Sequence, residues 1–329
     1  MSAALTFGPT STADEVATGF AEEIKGKNVL VTGTSLNGIG FETARVIAKY
    51  ANLIIITGHN PERLRLAEEA IKADVPSANI CSLTVDLGSL ADVRRAAADV
   101  NARSEPLHVL IHNAAGPIGA FKLTAEGLEN QMAVGHLGPF LLTKLLLPKI
   151  RSAATETYTP RVVFVAARAH RLCNGVDIDT LAKLDEAAYN SMNRAAQVKC
   201  ANILTASEMA RRGKGVVNAY SLHPGMIFTN VHNEEGLRPI FQAAGLVGPD
   251  GLPIANPAGD RKWKTIPQGA ATTIAAAFDP RLDPFSGAYL DDCAVATETV
   301  AAHSADPVTA AKLWAATEEI IGEKLAFDF

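Results

Sequence analysis

Hydrophobic positions along this chain fall into two alternating patterns. Runs of consecutive apolar residues, rich in Val, Ile and Leu, recur at 28–32, 51–57, 79–85, 108–112, 161–166, 215–221 and 286–291. Runs this short and this apolar read as strands buried on both faces. Between them apolar residues return every three or four positions, the mark of a helix with one buried side. Helices are predicted after Gly40 to about Tyr50, and over 61–73, 89–100, 125–150 (bent near Gly138 and Pro139), 185–210, 267–277 and 306–321. Asn60 is placed to cap the second of these, with Pro61 in its first turn. Ahead of the first strand, Thr12 and Glu15 make a capping-box pattern that opens a short helix to about Ile24, behind a small polar arm at 1–11. Strands alternating with helices give an α/β fold, a doubly wound parallel sheet with helices on both faces.

The first strand and helix enclose the most informative turn. Gly33, Gly38 and Gly40 lie between them, with Ser35 and Ile39 in the same stretch. Strand, glycine turn and helix in this order hold a dinucleotide pyrophosphate. The glycines let the backbone approach the phosphates, and the free N–H groups of the helix start face the anion. The bland reading is a tight structural turn; it loses ground because both flanking elements are present. The sheet is then of the Rossmann type. NAD sites place a carboxylate about 20 residues on, at the end of the second strand, to bind the ribose hydroxyls. Here that place reads Thr57, Gly58, His59 and Asn60, with no acid before Glu62. His59 and Arg63 stand where a 2′-phosphate would lie, so NADP(H) is favoured over NAD(H). Each residue alone reads equally well as part of a solvated loop.

Composition narrows the picture. The chain has 329 residues, 48% hydrophobic and 20% charged, enough for a sizeable core and against general disorder. A net charge of −5 with no long basic run argues against nucleic acid and anionic membrane as partners. The apolar stretch 139–147 is interrupted by Lys144 and too short to span a bilayer, and no signal-peptide pattern opens the chain. Cys81, Cys173, Cys200 and Cys293 show no metal-ligand spacing, so no metal site is expected; they read as reduced, mostly buried thiols of a cytoplasmic protein. One stretch, 231–265, is rich in Gly, Pro, Asn and charge and is too long for a routine connection. It reads as a substrate lid inserted in a single domain spanning 25–329, with 1–24 as an N-terminal arm and short helix. A surface insertion with no role is the alternative.

Thr32, Gly33, Gly38, Ile39 and Gly40 resemble the TGxxxGIG turn of the short-chain dehydrogenase/reductase family, with one extra residue between the first two glycines. Asp86 and Leu87 match the family's adenine-contacting pair. Asn113, Ala114, Ala115 and Gly116 resemble its NNAG motif. Pro224 and Gly225, with Thr229 beyond, match the loop along the nicotinamide. The stretches 268–273 and 286–292 resemble the C-terminal signature of the retinol-dehydrogenase-like branch. The resemblance covers about 25–300 and implies that these residues bind the cofactor, as does Lys199 through the nicotinamide ribose. It also implies a homodimer paired through the long helices at 125–150 and 185–210, and a lipid-like or secondary-metabolite-like substrate.

The same resemblance implies a tetrad of Asn, Ser, Tyr and Lys, and here the chain departs. A tyrosine hydroxyl, ordinarily near pKa 10, is lowered by a lysine four residues on and exchanges a proton with the substrate while hydride moves. The family phrase YDPWKAYGQSKTANIL aligns without a gap on 189–204. Lys199 matches, but the tyrosine position is Ala195. The serine position is Ala167, with Ala166 before it, and the asparagine position is Gly135. A general acid is typically worth ~10²–10⁴ in rate, so ordinary alcohol or ketone chemistry should be severely slowed. Tyr189, almost three helical turns from Lys199, is too far to substitute. Arg168 follows the lost serine and is the other candidate to enter the pocket. His136, His170 and His223 read as structural. Losing three polar groups should leave an apolar space beside the nicotinamide, suited to a hydrophobic small molecule unless Met192, Arg194 or Tyr189 fills it.

Three readings follow. The first is an atypical oxidoreductase that delivers hydride to an already activated acceptor, such as an iminium or conjugated enone. The second is a non-redox enzyme, performing cyclisation, elimination or isomerisation with the cofactor as scaffold. The third is a redox-dead pseudoenzyme that senses NADP(H). Retention of Asn113, Lys199, Pro224 and Gly225 favours the first.

Overall fold

The computed structural model describes residues 6–116, 118–229, 237–255 and 262–327. Its strands are β1 (Asn28–Thr32), β2 (Leu53–Gly58), β3 (Ile80–Thr84), β4 (Val109–His112), β5 (Arg161–Val165), β6 (Asn218–His223), β7 (Met226–Ile227), β8 (Trp263–Lys264), β9 (Tyr289–Asp291) and β10 (Ala294–Val295). Its helices are α1 (Ala13–Gly19), α2 (Ala21–Ile24), α3 (Ile39–Ala48), α4 (Pro61–Asp74), α5 (Leu90–Asn101), α6 (Asn130–Met132), α7 (Gly138–Arg151), α8 (Ser191–Arg212), α9 (Arg238–Ala243), α10 (Ile266–Phe278), α11 (Ala302–Ala305) and α12 (Pro307–Ile321).

Eight strands form one sheet in the order β10-β9-β6-β5-β4-β1-β2-β3. Every pairing in it is parallel except β9 with β10. Successive side chains of each strand enter opposite cores. Val29, Val31, Ile54 and Ile56 pack on one face with residues of α1, α3, α4 and α10. Leu30, Leu53, Ile55, Val162 and Phe164 pack on the other with residues of α5, α7, α8 and α12. Both faces are covered, which is why the strands carry unbroken apolar runs. The order reverses at β1 and β4, and ligands of such sheets bind at that switch point, beyond the carboxyl ends of the strands.

Several boundaries move for local reasons. The helix expected from 125 begins only at Asn130. Gly127 (φ +76°) turns the chain first, and Glu129 caps the start by accepting from Gln131 and Met132 N–H. The expected disturbance near Pro139 is a π-helical turn over 133–137, where Gly138 N–H reaches back to Ala133 O; Pro139 has no N–H to continue the α pattern. The helix expected from 185 starts at Ser191, capped by Asn190. The ladder β7–β8 and the strand β10 were not expected. Of the expected lid, 231–236 and 256–261 lie outside the described residues; between them α9 and an isolated bridge from Val247 to Pro253 are described.

α12 lies along α8, and its Trp314 packs edge-on against Phe140 of α7 at 4.7 Å. Lys144 of α7 pairs with Glu323 beyond α12. Two of the helices through which a dimer was expected, α7 and α8, thus carry α12 on part of their surface. Among the described residues no helix is long and apolar enough to cross a membrane.

Candidate functional site

A cleft of about 490 Å³ opens at the switch point. It brings together Gly33, Ser35, Gly38, Ile39, His59, Arg63, Asp86, Leu87, Asn113, Ala114, Ala115 and Thr229, twelve of the residues singled out in the sequence. Leu36, Asn37, Thr57, Gly58, Val85, Asn130 and Val134 also line it; of these only Thr57 and Gly58 had been placed at the ribose end, and none was named as a cofactor contact. Thr57, Gly58 and Val85 end or follow parallel strands, so the carboxyl-end rule was signal enough for them. Asn130 and Val134 come from the helical turns that precede α7 and had no sequence signal.

The turn after β1 is built for close approach. Gly33 has φ +72°, and a Cβ there would lie 2.7 Å from Ala114 Cα. A Cβ on Gly40 would lie 2.3 Å from Asn113 Nδ2. That amide donates to the carbonyls of Thr32 (3.0 Å) and Gly33 (2.9 Å). Asn113 thus spends its side chain on holding the turn, and Gly40 serves the packing of α3 rather than lining the cleft. The extra residue of the turn is absorbed beside Asn37, which takes the left-handed conformation (φ 59°) that Asn tolerates better than most residues. Gly38 heads α3 with no side-chain cap, so the first N–H groups of the helix remain free for an anion. The cradle fits a dinucleotide pyrophosphate. At the end of β2, His59 and Arg63 are exposed, while Glu62 is held by Arg65 (2.7 Å). Asp86 uses one carboxylate oxygen to accept from Gly88 N–H (2.8 Å).

Lys199, Pro224 and Gly225 stand outside the lining of this cleft. Gly225 (φ +106°) lies against the side chain of Lys264, which pairs with Asp292. Lys199 donates to Val165 O at the end of β5, 2.8 Å away, its one hydrogen bond among the described residues. Although the residue keeps some exposed surface, burial of its ammonium lowers the pKa from 10.5 to about 8.

Arg168 is not among the residues lining this cleft. Its guanidinium is bound to Asp291 at 2.7 Å, and its backbone N–H approaches His223 Nδ1 at 3.4 Å. His223, pushed down to about 3 by burial, is neutral. His136 bonds Thr317 Oγ1, and His170 bonds Ala167 O. The three candidate fillers are committed elsewhere. Tyr189 accepts from Gln131 Nε2 and lies edge-on to Phe121; Arg194 is buried on Glu129; Met192 is exposed. The space left at Gly135 is nonetheless closed, because Val198 occupies it: a Cβ on Gly135 would lie 2.4 Å from Val198 Cγ1. The expectation of an open apolar void at that point is corrected by this contact.

The fold and the cleft define a Rossmann-type nucleotide-binding protein. The family model for short chain dehydrogenase matches residues 27–172. The chain is 34% identical over 314 residues to short-chain dehydrogenase TIC 32 A, chloroplastic, of Brassica napus, covering 94% of this chain and 92% of that one. It is 30% identical over 301 residues to retinol dehydrogenase 12 of Mus musculus, covering 91% and 88%. A crystal structure of 3-oxoacyl (acyl-carrier-protein) reductase from Agrobacterium tumefaciens C58 with NADP bound shares the fold, with a TM-score of 0.60 and 19% identity over 82% of this chain and 93% of that one. The chain belongs to the short-chain dehydrogenase family.

Proposed function

We propose that this chain is an NADP(H)-dependent oxidoreductase that reduces an already activated acceptor, such as an iminium or a conjugated enone, in a hydrophobic small molecule. The observation that carries the reading is the glycine cradle after β1, paired with family tetrad positions of which only Lys199 keeps its polar group. Gly33, Gly38 and the start of α3 would hold the pyrophosphate. Asp86 and Leu87 would lie at the adenine, and His59 and Arg63 at the 2′-phosphate. When bound, the reduced nicotinamide supplies hydride. Lys199 Nζ, with a pKa of about 8, is mostly protonated at neutral pH and close enough to its pKa to give a proton up. Ala167, Ala195 and Gly135 offer no hydroxyl or amide to polarise a simple ketone, so the acceptor must carry its own activation.

Residues 25–329 act in this reading as one domain, with 231–265 as the segment over the substrate, in the cytoplasm. The test is stoichiometry. Product from an iminium or enone should match NADPH consumed, mole for mole. Product formed without NADPH consumption would overturn the reading in favour of a non-redox enzyme.

A further inference from the structure

Away from the cleft, α8 presents Cys200, one residue beyond Lys199. The fold brings two distant residues against it: Cys173, at the end of the 3₁₀ turn over 168–172 that follows β5, and His303 on α11. One donor atom from each, two sulfurs and a ring nitrogen, lie within 4.8 Å of one another. Both cysteines are buried and free of disulfides.

We propose that Cys173, Cys200 and His303 form a binding site for a soft divalent cation of the zinc type, which ties the turn after β5, α8 and α11 together. Two thiolates and one neutral imidazole balance a divalent charge, so the loaded site adds no net charge to the interior. Thiolate and imidazole donors select zinc-like ions over magnesium or calcium, which require oxygen ligands.

The surroundings already have the form of an outer ligand shell. His303 Nε2 lies 2.9 Å from His170 O, a hydrogen bond that orients the imidazole as outer-shell carbonyls orient metal-binding histidines. His170 cannot compete as a ligand: its Nδ1 bonds Ala167 O at 2.8 Å, and its Nε2 accepts from Ala301 N–H at 3.2 Å. Ser304 Oγ donates to Cys200 Sγ at 3.0 Å, which stabilises a thiolate there. The Cys173 thiol donates to His170 O at 3.3 Å, and a cation would replace that proton. The sequence hid this arrangement because the ligands come from three segments far apart along the chain, with none of the short Cys spacings of zinc motifs.

The probe is Co²⁺ added to the reduced, metal-free full chain. A single equivalent should give a thiolate charge-transfer band and strong tetrahedral visible bands, both abolished by Zn²⁺. Cys173→Ser, Cys200→Ser and His303→Asn should each weaken Co²⁺ binding by roughly 100-fold or more, since even outer-shell changes cost about 10–100-fold. Cys81→Ser should leave binding unchanged. Variants that fail to fold do not shield the proposal, because the unaltered protein carries its own readout: Zn²⁺ should slow alkylation of Cys173 and Cys200 and not of Cys81. Absence of the charge-transfer band, a band that survives all three ligand variants, or Zn²⁺ that protects neither Cys173 nor Cys200 would each overturn it.

Discussion

Val198 fills the place of the side chain that Gly135 lacks: a Cβ on Gly135 would meet Val198 Cγ1 at 2.4 Å. The departure from the family tetrad is thus packed in, and reversing it demands more than one change. Gly135→Asn alone should cost about 1–3 kcal/mol of stability through overpacking, read from denaturant midpoints. Pairing it with Val198→Ala should recover most of that loss. Ala195→Tyr with Ala167→Ser should raise simple ketone reduction by about 10²-fold or more, as expected for a restored general acid. No gain in ketone reduction would mean that more than the tetrad has been lost.

Lys199 sets the pH dependence. As proton donor to a conjugated enone it works in its charged form, so the rate constant for enone reduction should be level below its pKa and fall as pH rises through about 8. Lys199→Met should remove that limb and lower the rate by ~10²–10⁴. For stability the sign is the other way. The folded pKa is depressed from 10.5 to about 8, so between those values the unfolded chain binds more protons. This group makes the fold gain stability as pH rises through that window. Chemical denaturation of the parent and Lys199→Met proteins, from pH 7 to 10, separates the two effects. The variant should lose this rise and be no less stable at pH 7.

Cofactor choice rests on the end of β2. If Arg63 and His59 meet a 2′-phosphate, Arg63→Ala should weaken NADPH binding by roughly tenfold or more, the worth of one charge-assisted hydrogen bond. NADH affinity should hardly change. Fluorescence titration with both nucleotides reads the ratio; equal losses for the two would place Arg63 away from the 2′ position.

Glu129 and Arg194 form an ion pair at 2.8 Å with side chains 1% and 2% exposed. Glu129 also accepts the N–H groups of Gln131 and Met132 at the start of the helical run carrying Asn130, Val134 and Gly135. Removing one partner leaves the other charge buried, so Arg194→Met should cost about 3–5 kcal/mol. Loss of Asn130 and Val134 from their places should also weaken nucleotide binding. Urea midpoints and nucleotide affinity, measured on the same preparation, check both.

The strands and the nucleotide turn were legible because each rests on local chemistry: unbroken apolar runs, glycines with nowhere to put a Cβ, and caps such as Asn60 and Thr12. What escaped depends on contacts between distant segments. Nothing near Arg168 in the chain announces Asp291, its ion-pair partner across the sheet end. Nothing near Gly135 shows that Val198 would close over it. The β7–β8 ladder joins Met226 to Trp263 across the stretch of unusual composition, and two-residue strands leave no periodicity to read. α12 was foreseen as a helix, but its seat on α8 is a matter of tertiary packing.

The account turns on hydride passing from the nicotinamide to an activated carbon without a tetrad tyrosine. Single-turnover reaction of the enzyme with NADPH deuterated at the transferable position, followed by mass spectrometry of the product, tests this most directly. The account predicts deuterium in the product from an iminium or enone, with little or none from the corresponding simple ketone. Unlabelled product, with the deuterium still on intact NADPH, would contradict it.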